Sequence, residues 1–224
     1  MRIFKSFLLL AFCLPIWYCF AQLPEGFVYV ESVIPNIQYD LRYAGSNNFI
    51  GEPIDGYERE EVILTQAATS ALKKVQDELN GFGLSIIIYD SYRPQQSVDH
   101  FIRWAHDLED KMMKPRFYPD VEKRNLFKEE YIASRSGHSR GSTLDIGIVD
   151  LTTCEALDMG SPFDFFGKES WVANTELTLV QRSNRALLQS IMKKYGFRNY
   201  SKEWWHFTLN GEPFPKTYFN FPVR

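Results

Sequence analysis

The segment LSIIIYDSYRP, residues 84 to 94, constrains the fold more than any other stretch of this chain. Its uninterrupted, β-branched apolar run predicts a strand that is buried within a sheet. The run ends in Asp90, Ser91 and Arg93, immediately before Pro94. The chain must therefore build a sheet that other elements cover, and it brings polar side chains to the end of a buried strand.

Helix and strand patterns surround this segment in an irregular order. Apolar residues recur at helical spacing in residues 66–80, 95–110 and 183–195. Residues 143–149 alternate between apolar and polar, and EWWHFTL at 203–209 predicts a last strand. This mixture lacks a regular βαβ rhythm, which favours an α+β fold. We predict a single domain with a central, mainly antiparallel sheet flanked by helices.

Length and charge exclude some classes of protein. The chain has 224 residues, of which 45% are hydrophobic, and this is enough to bury the core of one domain at about residues 22–224. The formal net charge is −3, and no run of five or more like charges occurs. A nucleic-acid partner is therefore not expected. The sequence makes no prediction of the oligomeric state.

Residues 1–21 have the layout of a cleaved secretory signal. Arg2 and Lys5 precede the apolar run from Phe7 to Phe20. A membrane anchor is the alternative, but the run is shorter than the roughly 20 residues of a membrane span, and Pro15 interrupts it. We therefore expect a periplasmic or secreted protein that has no stable membrane insertion after the signal is cleaved.

The stretch SGHSRGSTLDIG, residues 136–147, places a histidine near an aspartate. Asp145 interrupts an apolar strand, where burying a lone carboxylate is costly. His138 lies in a loop whose glycines, Gly137 and Gly141, permit turns that fold it back towards Asp145. Two interpretations stay open: an ion pair for Asp145 beside an ordinary loop histidine, or a pair of metal ligands.

The stretch EWWHF, residues 203–207, favours the metal interpretation. A catalytic zinc site needs three protein ligands and an open position for water. His206 can be the third ligand, and Glu203 can act on the water. However, residues three apart in a regular strand point to opposite faces. The two side chains can share a site only if Glu203 precedes the strand or lies at a bulge.

Several motifs together resemble a known family. SGHSRGSTLDIG, EWWHF, YDSYRP at 89–94 and MGSPFDFF at 159–166 resemble the zinc D-alanyl-D-alanine dipeptidases, part of the wider D-Ala-D-Ala metallopeptidase group. The resemblance runs from about Tyr39 to Arg224. It implies an α+β fold with a central antiparallel sheet, one zinc ion, and a small D,D-dipeptide as substrate.

The resemblance also implies roles for individual residues. The implied zinc ligands are His138, Asp145 and His206. The implied catalytic groups are Glu203, as the base, and Arg93, which polarises the scissile carbonyl. The implied pocket residues are Ser136, Tyr43, Asp90 and Asp164. The predicted reaction is zinc-dependent hydrolysis of free D-alanyl-D-alanine by a metal-activated water.

Two other functions compete with this prediction. A zinc D,D-carboxypeptidase or endopeptidase on longer cell-wall peptides would use the same catalytic groups, but the dipeptidase-like segment at residues 39–58 can supply a wall of the pocket. A non-catalytic, zinc-stabilised binding module is the other alternative. Glu203 and Arg93 argue against it, because a binding module needs neither group.

Overall fold

A computed structural model describes residues 23–224, and these residues form the predicted α+β fold. The predicted export signal, residues 1–21, lies outside the described residues, so its cleavage stays a prediction. Between residues 23 and 224, none of the helices has both the length and the apolar character needed to cross a membrane.

The strands of the described chain belong to two sheets. They are β1 (Phe27–Tyr29), β2 (Gln38–Tyr39), β3 (Ile63–Thr65), β4 (Leu84–Asp90), β5 (Thr143–Asp150), β6 (Phe197–Tyr200) and β7 (Glu203–Leu209). The α-helices of the same residues are α1 (Gln66–Asn80), α2 (Gln95–His106), α3 (Lys114–Phe117) and α4 (Leu179–Lys194).

The larger sheet has five strands in the order β2-β4-β5-β7-β6. The short strand β2 runs parallel to β4, and the other neighbouring pairs are antiparallel, which confirms the mainly antiparallel prediction. Strands β1 and β3 pair separately as an antiparallel ribbon. In β5, residues 143–149 are all buried, so both faces of this central strand are covered and not only the apolar one.

The helices agree with the sequence pattern in their interiors and differ at some ends. Helix α1 has the predicted bounds, and Thr65 caps it by accepting a hydrogen bond from the third residue of the helix. Helix α2 ends at His106 instead of residue 110, because Asp107 takes an extended conformation. Helix α4 begins before residue 183, since Thr178 and Gln181 form a capping box.

The C-terminal residues wrap over the core, as their prolines and aromatics predict. Phe219 accepts a backbone hydrogen bond from Gln95 and donates one to the carbonyl of Ser139. Val223 is fully buried and exchanges backbone hydrogen bonds with the segment 56–59. The tail therefore joins three segments of the chain that lie far apart in sequence.

Candidate active site

A row of polar side chains crosses β4, β5 and β7 at one end of the larger sheet. Regular antiparallel pairing sets Asp145 opposite His206. On the other side of β5, the register shifts between Ile88 and Asp90, so that Asp90 and not Tyr89 is the partner of Asp145. Directly paired residues of antiparallel strands lie side by side on one face. The three polar side chains therefore meet.

His138 reaches this row from a short 3-10 turn, Gly137–Arg140. Ser136 caps the turn, and its Oγ accepts a hydrogen bond from the backbone N–H of His138 at 3.3 Å. Gly141 ends the turn with a φ of 79°, where a Cβ would lie 2.2 Å from the ring of Phe27. Only glycine fits that left-handed, crowded position, and the turn folds the His138 ring back onto the row.

Three potential ligand atoms converge at this point. His138 Nε2 lies 3.3 Å from Asp145 Oδ1, His206 Nδ1 lies 3.1 Å from the same oxygen, and the two nitrogens are 3.2 Å apart. Tetrahedral zinc with bonds of about 2.0–2.1 Å separates neighbouring ligand atoms by about 3.3–3.4 Å. The three atoms therefore have nearly the spacing of three corners of a zinc tetrahedron.

A backbone contact orients His138 for this role. Its Nδ1 lies 2.7 Å from the carbonyl oxygen of Ser91. A carbonyl only accepts, so Nδ1 carries the proton, and Nε2 presents its lone pair towards Asp145. Histidines that bind metals typically donate their other ring N–H to such a group.

The charges around Asp145 also fit a cation. The Asp145 side chain is buried, and its Oδ1 has no hydrogen-bond partner among the described residues. Burial acts to raise the pKa of Asp145, but His138 and His206 in their charged forms lower it below its ordinary value. An ionised, unsatisfied oxygen beside two imidazole nitrogens is a donor set that suits a borderline divalent metal such as zinc.

Glu203 joins the site because β7 is bulged on its β6 side. Asn199 pairs with Phe207, yet the next residue of β6, Tyr200, pairs with Glu203. Residues 204–206 of β7 therefore have no partner in the β6–β7 ladder. This bulge allows Glu203 Oε2 to lie 3.3 Å from His206 Nδ1. The requirement for a bulge is met. Burial and the charge of Asp145 raise the pKa of Glu203 to about 7.

Arg93 follows the end of β4, so it lies on the side of the polar row that is opposite to β7. Its Nε donates to Asp90 Oδ2 at 2.9 Å, and its Nη2 lies 3.6 Å from Asp145 Oδ2. Tyr57 donates its hydroxyl to the other oxygen of Asp90 at 2.7 Å. Burial opposes the charge of Arg93, but Asp90 and its neighbours hold the pKa well above the ordinary value. The guanidinium therefore stays charged inside the protein.

These groups line one cavity of about 400 Å³. Tyr43 and Asp164 also line this cavity. The Tyr43 hydroxyl contacts both carboxylate oxygens of Asp164 at 2.9 and 3.0 Å. Burial and the charge of Asp145 raise the pKa of Asp164 well above its ordinary value. Ser136 lies on the cavity wall, whereas Asp90 lies behind it, with its oxygens taken by Tyr57 and Arg93.

Comparison with known proteins identifies the family. The family model described as D-ala-D-ala dipeptidase, of the M15 peptidases, matches residues 24–224. The chain belongs to this D-Ala-D-Ala dipeptidase family. Membership makes it a hydrolase of the metallopeptidase class, as the sequence motifs indicated.

Curated relatives of this dipeptidase family match nearly the whole described chain. A D-alanyl-D-alanine dipeptidase of Enterococcus faecalis is 40% identical over 199 residues, which are 89% of this chain and 98% of the relative. A D-alanyl-D-alanine dipeptidase of Streptomyces coelicolor is 40% identical over 197 residues, 88% of this chain and 98% of the relative.

Among solved structures, a mutant of the vancomycin-resistance D,D-pentapeptidase VanY in complex with Zn(II) is 14% identical. The match has a TM-score of 0.42 and covers 68% of this chain and 75% of that chain.

The sequence motifs of the dipeptidase family left two site residues unidentified. Tyr57 hydrogen-bonds Asp90 from 33 positions away, and the Asn199 side chain contacts the backbone at Glu203. Tyr57 lies within a stretch of the family resemblance, but nothing in its spacing indicates a buried partner. Asn199 precedes the motif EWWHF by only a few residues, so a search for polar residues next to that motif could have found it.

Proposed function

We propose that the chain hydrolyses the peptide bond of free D-alanyl-D-alanine, using one zinc ion bound by His138, Asp145 and His206. The observation that supports this most is the convergence of three ligand atoms, within 3.1–3.3 Å of one another, beside Glu203. When bound there, zinc would act as a Lewis acid towards the substrate carbonyl and would lower the pKa of water to about 7.

Glu203 is proposed as the general base. It takes a proton from the attacking water as the water oxygen bonds to the carbonyl carbon, and it passes that proton to the leaving nitrogen as the C–N bond breaks. A base works best when its pKa lies near the operating pH, and burial raises the pKa of Glu203 to about 7. Two molecules of D-alanine are the products.

Arg93 is proposed to stabilise the negative charge that develops on the carbonyl oxygen. Its guanidinium faces the cavity and is held in place by two contacts with Asp90, Nε at 2.9 Å and Nη2 at 2.8 Å. A charged donor that is already oriented costs no reorganisation during the reaction. Asp90 and Tyr57 support catalysis by keeping the guanidinium in this position.

The two ends of a free dipeptide have matching groups in the cavity. The Asp164 carboxyl group, next to the Tyr43 hydroxyl, can accept a hydrogen bond from the substrate ammonium, whose positive charge would favour the ionised form of this buried acid. Ser136 and backbone N–H groups of its turn can bind the substrate carboxylate. The cavity of about 400 Å³ is near the small end of ligand pockets. Both features favour a short substrate with two charged ends over a longer wall peptide.

The proposed site of action is the periplasm or the exterior of the cell. The support is the signal-like sequence of residues 1–21, with Arg2 and Lys5 before an apolar run. The substrate would then be free dipeptide outside the cytoplasm. Detection of the mature protein in a periplasmic or culture fraction, with an N-terminus near residue 22, tests this part of the proposal.

The first experiment measures release of D-alanine from D-Ala-D-Ala by the purified mature protein, with and without a chelator. A pentapeptide that ends in D-Ala-D-Ala and the dipeptide L-Ala-L-Ala serve as parallel substrates. Chelator-sensitive cleavage of the D,D-dipeptide alone supports the proposal. Cleavage of the pentapeptide would instead indicate a carboxypeptidase, and zinc binding without any cleavage would indicate a binding module.

The variant Glu203→Ala tests the role of the base. We expect zinc to stay bound while kcat falls by about 100- to 10,000-fold, since general bases contribute rate enhancements of this size. Glu155→Ala is the matched control, because Glu155 is exposed and lies at the other end of β5. Near-normal turnover of Glu203→Ala would refute the assigned role.

A further inference from the structure

The bulge in β7 leaves backbone groups without their usual ladder partners. Residues Phe207 to Leu209 pair regularly with β6, and pairing resumes only at Glu203, opposite Tyr200. Between these points, the β6 backbone offers no residue to pair with 204–206. A gap of this kind exposes carbonyl oxygens that need other donors.

The side chain of Asn199 fills this gap. Its Nδ2 donates to the carbonyl oxygen of His206 at 2.8 Å and to the carbonyl oxygen of Glu203 at 3.1 Å. One amide group thus joins both ends of the bulge, and it does so with the two hydrogens that a carboxamide nitrogen offers.

The two bridged residues differ in how else they are held. His206 also pairs with Asp145 in the regular β5–β7 ladder. Glu203 lies beyond the end of that ladder, and its strand partner is Tyr200 on β6. Loss of the Asn199 bridge should therefore displace Glu203 much more than His206.

We propose that Asn199 is a positioning residue that holds Glu203 at its catalytic distance from the metal site. This inference rests on the proposed function, in which Glu203 is the base. Asn199 acts through the backbone and contacts neither substrate nor metal. In a regular strand, residues three apart point to opposite faces. The bulge brings Glu203 and His206 onto one face, and the Asn199 amide bonds to the backbone of both residues.

The experiment compares the zinc-loaded protein with the isosteric variant Asn199→Asp, which keeps the size of the side chain and removes both donors. Asn199→Ala is the second variant in case the aspartate prevents folding. Arg198→Ala is the matched control, since Arg198 donates from the same strand to the carbonyl of Leu209, away from the bulge. For each variant, kcat, KM, zinc affinity and the thermal midpoint are measured.

The expected result is a fall in kcat of about 10- to 100-fold in both Asn199 variants, because a displacement of about 1 Å at the reacting groups can cost about 100-fold. KM and zinc affinity should change less than about threefold, since the ligands and the substrate pocket are held separately. Arg198→Ala should lower the thermal midpoint by a similar amount while keeping kcat. A crystal structure of a variant should show Glu203 Oε2 farther from His206 Nδ1 than 3.3 Å.

Two results would overturn the inference: a kcat within twofold of the parent protein, or a loss of kcat that Arg198→Ala reproduces at equal thermal destabilisation. Failure of the proposed function has a different signature. In that case the parent protein does not cleave D-Ala-D-Ala, or Glu203→Ala retains activity. A fully active Asn199 variant beside an inactive Glu203→Ala would refute the inference about Asn199 alone.

Discussion

Three lines of strand pairing, here called seams, build different parts of the site: β5–β7 in the middle, and β4–β5 and β7–β6 on either side of it. Between β5 and β7 the register is regular, and it sets Asp145 beside His206. Between β4 and β5, and between β7 and β6, the register shifts. These shifts deliver Asp90, which holds Arg93, on one side and Glu203 on the other.

The difference separates metal binding from catalysis. The regular seam holds two of the three proposed ligands, Asp145 and His206. The shifted seams hold the proposed base and the proposed oxyanion donor, which a regular ladder would not direct to the same face. Loss of a proposed ligand at the regular seam should therefore remove the metal, and changes at the shifted seams should reduce the rate with the metal retained.

The largest effect is expected from His206→Ala, at the regular seam. Zinc binding should be lost, and activity should fall by more than about 1,000-fold, because the metal activates the reaction. Zinc content by atomic absorption and D-alanine release measure this. Thr208→Val on the same strand is the control: it removes a hydroxyl contact of 2.9 Å with Thr143 and should keep zinc. A zinc-replete, active His206→Ala would contradict the ligand assignment.

A smaller effect is expected from Arg93→Lys, at the β4 side. Lysine keeps the charge but cannot reproduce the forked contact with Asp90. We expect kcat/KM to fall by about 100- to 1,000-fold, the usual cost of losing an oxyanion donor, with zinc content unchanged. Arg103→Lys, in a surface ion pair with Asp55, is the matched control. Loss of zinc in Arg93→Lys would break the distinction between the seams.

Tyr57→Phe tests the hydrogen bond that supports Asp90 at the β4–β5 seam. The variant removes the hydroxyl that lies 2.7 Å from Asp90 Oδ1 and keeps the buried ring. One such hydrogen bond contributes about 0.5–1.5 kcal/mol, so kcat/KM should fall by about two- to tenfold. Steady-state kinetics measure the change, with Tyr29→Phe as the control at the distant contact with Arg224. An unchanged kcat/KM would show that Asp90 holds Arg93 without this bond.

The smallest effect concerns Asp164, on the cavity wall away from all three seams. Because burial raises its pKa well above 3.8, the unfolded chain releases this proton at lower pH than the folded protein does. The folded protein therefore loses stability relative to the unfolded chain as the pH rises above that ordinary value.

Asp164→Asn removes this titration and keeps a side chain that tolerates the left-handed φ of 64°. In chelator-treated protein, the stability of the variant minus that of the parent should increase between pH 4 and pH 8. Urea unfolding at both pH values measures the difference. A difference that is independent of pH, or that decreases, would show that Asp164 is ionised in the folded protein.

Local patterns predicted the elements but not the shifts between them. The apolar run from Leu84 and the motif EWWHFTL predicted β4 and β7, because alternation and β-branching are local properties. The start of α4 was missed, since Leu179 and Val180 are exposed and do not follow the apolar stripe. Strand β6 was missed because only its first residue is buried.

The same limit applies to the site. Sequence motifs named His138, Asp145, Glu203 and His206 as one candidate site, and the structure brings their side chains together. The contact of Tyr57 with Asp90 depends on how separate segments pack, and no local spacing indicates it. A bulge in β7 was stated as a condition for Glu203, but the residue that bridges it could not be named. Register between strands is a property of two segments, so one segment alone does not reveal it.

The wrap formed by Phe219 and Val223 is synthesised after the site that it supports. Phe219 bonds the carbonyl of Ser139, next to His138, and Val223 bonds the segment that contains Tyr57. These two anchors follow the proposed ligands and base in the sequence, so a growing chain contains His138 and Glu203 before it contains the wrap. A tag fused directly after Arg224 would crowd its carbonyl, which accepts a hydrogen bond from the Tyr29 hydroxyl.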